Sequence, residues 1–190
     1  MEIPVLQEEV RQARDYARRA SPYTLRKLDC QRSKFVTEEN LDKQINFRVA
    51  RAVVSRLLLR SGIENVCDDS CHTDTTSFCI RTAHGALIQV RFITDNPNYR
   101  RLPEDVDSFT RRRHDFYVAT TSSNQLQTIR IHGFATRTEL SRLEPIDFGQ
   151  GIMNRYVPLT ELHPMPQLLV ILKSRDWSSA ATEILKPYPQ

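Results

Sequence analysis

Apolar residues recur every four positions through one stretch of the chain: Leu41, Ile45, Val49, Val53 and Leu57, with Ala52 and Leu58 widening the stripe. Four-residue recurrence keeps side chains on one face of a helix. The spacing predicts a helix over 37–61, with Thr37 suited to the N-cap and Glu38 and Glu39 placing negative charge in the first turn. Arg60 falls in the last turn and Gly62 follows as a C-terminal cap. Upstream, Val5, Leu6, Val10, Ala13 and Ala17 predict a second helix from Ile3 to about Arg19, ended by Ser21-Pro22. Residues 21–36 show no period, and 63–75 read as a polar loop.

The period then changes to two. In TDTTSFCIRTAHGALIQVRFIT, Phe78 and Ile80 alternate with Cys79 and Arg81, and Ala83-His84-Gly85 supplies a turn. Ile88, Val90 and Phe92 follow on one face, with Leu87, Gln89, Arg91 and Ile93 on the other. This is a hairpin, closed by Asp95-Asn96-Pro97-Asn98. Pro103 predicts the start of a short helix reaching about Arg112. Strands follow at 115–121 and 128–134, separated by a turn at Ser122-Ser123-Asn124. Thr136 predicts an N-cap for a helix over 137–143. Residues 145–155 read as loop, Tyr156-Val157-Pro158-Leu159 as a brief extended piece, Met165 to Lys173 as a helix, and the Pro-rich end as frayed.

Helix, hairpin, helix, strands, helix is the order of a mixed α/β or α+β domain. The organisation expected is an N-terminal helical arm at 1–36, an α/β core at 37–175 and a C-terminal tail at 176–190. The arm either packs on the core or serves a protein partner.

Composition changes this picture little. A chain of 190 residues has room for one domain, and 39% hydrophobic residues are enough for a core. The net charge of +4 permits nucleic acid as a partner without demanding it. Only five of the 27 basic residues are lysine, and arginine is the side chain that binds phosphate in a planar fork. No apolar run approaches membrane-spanning length, and the charged start does not resemble a signal peptide, so a cytoplasmic location with reduced thiols is expected.

The densest basic cluster is Arg111-Arg112-Arg113-His114, with Arg100 and Arg101 upstream and Tyr99 beside them. It reads either as a phosphate-contacting patch or as a solvated helix end. Cys67, Cys71, His72 and Cys79 have zinc-ligand types but no second paired half, so partly buried thiols are the competing reading. Asp115, at a strand start, reads as structural; His132-Gly133 reads either as a site at a strand end or as a satisfied or exposed histidine; the serines at 122–123 form no nucleophile arrangement, and five scattered glycines make no phosphate loop.

Residues 40–170 resemble the PD-(D/E)XK, or restriction-endonuclease-like, superfamily. Asn46 through Gly62 is similar to its opening helix, Asp74 precedes the hairpin, and Gln89-Val90-Arg91 occupies the place of its (Glu/Asp/Gln)-x-Lys. The later run RRRHDFYVATT, IRIHGFATRTEL and RYVPLTELHPMPQLL resembles the back half of small nuclease-like proteins. The resemblance implies a mixed central sheet flanked by helices. It implies Asp74 and Gln89 as magnesium ligands and Arg91 in the lysine position, with Arg100, Arg101, Arg111, Arg112 and Arg113 available to nucleic acid. Two functions follow from it. One is a Mg-dependent DNA endonuclease. The other is a degenerate relative that binds nucleic acid or a protein partner within a larger complex. The departures favour the second: Gln89 offers magnesium only a neutral oxygen, and Arg91 does not give up its proton.

Overall fold

The computed structural model describes residues 1–19, 38–68, 79–93, 101–105, 109, 113–123, 126–147 and 153–185. In chain order these contain β1 (Glu2–Pro4), α1 (Gln7–Arg19), α2 (Glu38–Arg60), β2 (Asn65–Asp68), β3 (Cys79–Thr82), β4 (Leu87–Phe92) and β5 (Arg101–Asp105). Then come β6 (Phe116–Ser123), β7 (Thr128–Thr136), α3 (Arg137–Arg142), β8 (Ile146–Asp147) and β9 (Met153–Pro158). A 3-10 turn (Leu159–Glu161), α4 (Met165–Lys173) and α5 (Trp177–Ile184) complete the chain.

The fold is mixed α+β. Six strands form one sheet in the order β1-β7-β6-β4-β3-β2, and β5, β9 and β8 form a second, smaller sheet. In the large sheet the β4–β6 pair is parallel and the other pairings are antiparallel. The expected hairpin is present, and its two strands are neighbours in the mixed sheet.

Period two divides the large sheet into two buried faces. Ile80, Ile88, Val90, Phe116, Val118, Ile129, Ile131 and Phe134 share one core with α1, α2 and α4, and Trp177 of α5 packs against it. Tyr117, Ala119, Ala135 and Ile93 point the other way, into a second core closed by Leu102 and Val157 of the small sheet, Phe109, and Leu140 of α3. Helices therefore cover one face, and the small sheet with α3 covers much of the other. Ile131 and Phe134 are three residues apart yet face the same side. The β6–β7 register slips between Ala119 and Thr120, so His132 is an extra residue in β7 and the alternation resets after it.

The helices predicted over 37–61, 137–143 and 165–173 are found as α2, α3 and α4. Gly62 ends α2 with φ +78, the left-handed cap its position implied. Thr136 accepts from the Glu139 amide while the Glu139 carboxylate accepts from the Thr136 amide, a full capping box.

Several expectations need correction. Ile3 and Pro4, read as the start of a helix, lie in edge strand β1, where Ile3 pairs with Ile129 and Pro4 is tolerated. Residues 2–19 are thus built into the sheet and onto α2. Part of the polar loop at 63–75 is edge strand β2. Pro103 does not open a helix; it lies in β5, the edge of the small sheet, opposite Tyr156. Parts of the loop at 145–155 are β8 and the start of β9. Ser122 and Ser123 continue β6 rather than turning. The tail contains α5, capped by Asp176, whose Trp177 ring meets Phe116 at 5.5 Å and whose indole donates to His84 O at 3.2 Å. Among the described residues no helix is long and apolar enough to cross a membrane.

Candidate functional site

Strand β4 lies inside the large sheet, between β3 and β6. Ile88 and Val90 turn to the helical core, which sends Gln89 and Arg91 to the opposite face. Gln89 is fully buried. A buried carboxamide is costly unless bonded, and its partner is Arg91. Set with its oxygen toward the guanidinium, the carboxamide accepts from Arg91 Nη2 and Nε, both at 3.3 Å; the opposite orientation would set donor against donor. Arg91 stands across from Ala119 of β6, whose small side chain leaves room for a long neighbour, and its carbonyl accepts from Thr120 Oγ1 at 2.9 Å. Arg91 itself is half-buried.

The cross-strand row through Gln89 runs Asp68, Cys79, Gln89, Tyr117, Ala135. Asp68 is thus in register with Gln89 but two strands away, a backbone separation of about 10 Å. Asp74 lies outside the described residues, as do Arg100, Arg111 and Arg112. Arg101 is in β5, opposite Pro158. Arg113 is exposed, next to a buried His114 that meets the Tyr117 ring edge-on at 5.9 Å. The structure therefore brings Gln89 and Arg91 together and does not describe the rest of the expected basic cluster as a surface.

By themselves Gln89 and Arg91 do not fit magnesium. A magnesium bound at about 2.1 Å from the Gln89 oxygen would stand about 5 Å from the guanidinium. At an effective dielectric of about 20, the repulsion between that dication and Arg91 is about 7 kcal/mol. With the carboxamide so oriented, its oxygen also already faces a cation. Of the residues considered for zinc, Cys67 is exposed on β2 and Cys79 buried in β3, two positions that are not paired in register. Cys71 and His72 lie outside the described residues. Among the described residues no group of three or more His, Cys, Asp or Glu could hold a metal ion.

Two further polar groups surround the second core. Asp115 precedes β6 and accepts from the Leu87 amide at 2.8 Å. Burial pushes its carboxyl above the usual range, against the opposing pull of that amide and of the Arg137 guanidinium. Arg137 donates to Phe109 O at 2.9 Å and lies 4.2 Å over the Phe109 ring, with Arg155 5.1 Å from the same ring.

The second group escaped the sequence reading. His163 Nε2 lies 2.5 Å from Glu139 Oε1, with both side chains largely buried. Glu139 Oε2 meanwhile accepts from Thr136 N and Oγ1, each at 2.8 Å. His163 and Phe134 also exchange two backbone hydrogen bonds of 2.9 Å. The whole group staples the segment before α4 to the end of β7. Only the Thr136-x-x-Glu139 spacing signals it in sequence; His163 is 24 positions further on.

A crevice of about 320 Å³ lies at the turn end of the hairpin, between Gly62, Glu64, His84 and Lys173, away from Arg91. No protein-family model matches the sequence, and no curated protein matches it.

Proposed function

We propose that this chain is a divergent restriction-endonuclease-like protein whose metal-dependent site has decayed, and that it acts as a nucleic-acid-binding component of a larger assembly. One feature carries the reading: with the Gln89 carboxamide set as its neighbours require, its oxygen, which would have to face a metal, accepts from the guanidinium of Arg91. The hairpin pairing within a mixed sheet supports the fold resemblance. The arginine-rich stretch ending at exposed Arg113 supports phosphate contact.

The test is a plasmid incubation with magnesium or manganese, run beside binding of a labelled DNA duplex. The expected result is an intact plasmid and a bound duplex, with binding lost when Arg111, Arg112 and Arg113 are replaced together by Ala. Metal-dependent cleavage abolished by Asp74→Ala or Asp68→Ala would overturn the reading in favour of a Mg-dependent DNA endonuclease. Neither cleavage nor binding would leave a protein-interaction role, with residues 1–36 as the first contact to map.

A further inference from the structure

The crevice at the turn end of the hairpin lies apart from β4 and takes no part in the chemistry above. We infer that it is a binding site for a small zwitterion of the α-amino-acid class, with the ligand's ammonium at Glu64, its carboxylate at Lys173 and an apolar side chain between them. The inference is independent of the nucleic-acid reading.

Three observations lead there. First, opposite charges line one crevice without neutralising each other. Glu64 and Lys173 are both exposed, and among the described residues neither side chain takes part in an ion pair or a hydrogen bond. A molecule that presents an ammonium and a carboxylate together matches both, whereas a simple acid or amine matches one. The wall that carries Glu64 follows directly from the C-terminal end of α2, where the helix dipole adds negative charge and favours the ammonium.

Second, the lining holds a buried hydroxyl with a proton to give. Thr82 is only 4% exposed. Its Oγ1 accepts from the Ala86 amide at 3.0 Å, and among the described residues nothing accepts from it. A hydroxyl that already accepts keeps its proton for donation, and a buried donor without an acceptor is costly. A ligand carboxylate held at Lys173 supplies that acceptor.

Third, the walls are set before a ligand arrives. Ala83 N donates to Glu64 O at 2.9 Å, which joins the hairpin turn to the end of α2. The Trp177 indole donates to His84 O at 3.2 Å, which joins the same turn to α5. Buried Ile63 and Leu172 supply the apolar part of the lining. The volume of about 320 Å³ is near the small end of ligand pockets, about 300–1,000 Å³. It suits one amino acid rather than a nucleotide.

The experiment titrates the full isotope-labelled chain with L-leucine and with its two one-ended analogues, isocaproate, which lacks the amine, and isoamylamine, which lacks the carboxylate. The backbone amide signals of Gly62, Ala83, His84 and Gly85 report occupancy. Leucine should move these signals to saturation, and each analogue should bind about tenfold more weakly. The variants are Glu64→Gln and Lys173→Met, both at exposed positions, where substitutions cost little stability. Glu64→Gln should bind leucine about as weakly as wild type binds isocaproate, and Lys173→Met about as weakly as wild type binds isoamylamine. A merely structural residue would not pair a variant with an analogue in this way. Thr82→Val should weaken leucine about fivefold; it also removes the acceptor of the Ala86 amide, so the two surface variants decide the matter where it fails to fold.

Leucine that leaves all four signals unmoved overturns the inference. So do analogues that bind as tightly as leucine, and so do surface variants that bind leucine like wild type.

Discussion

The Arg56–Glu9 pair fastens the first helix to the core, and its loss can be worked through in numbers. Arg56 of α2 donates from Nε to Glu9 Oε1 at 2.8 Å and from Nη2 to Glu9 Oε2 at 3.2 Å. Its Nη2 also donates to Pro4 O at 2.6 Å, tying down strand β1. Glu9 Oε2 further accepts from the Leu6 amide at 2.8 Å. The side chains are only 17% and 10% exposed, so this pair belongs with buried ion pairs rather than surface ones. Breaking a fully buried pair by removing one partner costs about 3–5 kcal/mol, because the other charge is left uncompensated. Here the Leu6 amide still serves Glu9 and some solvent reaches both groups, so Arg56→Leu should cost about 2–3 kcal/mol. For a chain of this length each kcal/mol moves Tm by roughly 2–4 °C, which predicts a drop of about 5–10 °C. Urea unfolding followed by circular dichroism measures the free energy directly. A double-mutant cycle with Glu9→Gln should return a coupling of about 1–2 kcal/mol. An Arg56→Leu protein within about 0.5 kcal/mol of wild type, the range of ordinary surface changes, would refute the argument that this contact holds the N-terminal elements in place.

Two further predictions concern the sheet. Gly133 sits at the β7 bulge with φ +156, and a Cβ there would overlap His163 O and come within 2.9 Å of Leu162 Cβ. Gly133→Ala should therefore destabilise the fold by about 2–4 kcal/mol through combined overlap and backbone strain, seen as a fall in the urea midpoint; an unchanged midpoint would contradict the close approach. Asp115 has its carboxyl raised by burial. A raised acid binds its proton more tightly when folded, so its contribution to stability falls as pH rises from the ordinary carboxyl range through the folded value, and stays lost above it. Asp115→Asn should remove that fall while keeping an acceptor for Leu87 N. Thermal unfolding of both proteins across acidic to neutral pH should show the stability of the variant relative to wild type rising with pH, and a relative stability that stays constant or falls would refute the assignment.

The parts of the fold legible in sequence are those in which one residue type repeats with the geometry. Leu41 through Leu57 marks α2 because one face of it is continuously apolar. The hairpin is marked because Ile88 and Val90 alternate with Gln89 and Arg91, and α3 because Thr136 is its cap. The missed elements lack such repetition. Strand β1 is three residues long and contains a proline. Strand β5 carries Pro103, whose preference for helix starts competes with its tolerance at sheet edges. Helix α5 begins Trp-Ser-Ser-Ala-Ala-Thr, and its stripe of Trp177, Ala181 and Ile184 is only two turns long and contains a small residue, too short to stand out as a period. The spacing of Ile131 and Phe134 misleads because the bulge at His132 breaks the period. At the site, alternation put Gln89 and Arg91 on one face. Their mutual hydrogen bonds depend on side-chain torsions, which no spacing encodes, and the Glu139–His163 contact depends on two chain segments meeting in the fold.

The first strand has a consequence for how the chain reaches this structure. The terminal amino group donates to Ile131 O at 2.9 Å, and Ile3 pairs with Ile129. The hairpin and α2 can form from neighbouring residues, but the strand pairing at this edge of the sheet joins positions about two-thirds of the chain apart. Contacts of such long sequence separation demand a large loop-closure entropy before they return any stability, and they slow folding. On a ribosome, β1 has no partner until β7 has been made. The hairpin and α2 are thus free to form before this edge is sealed.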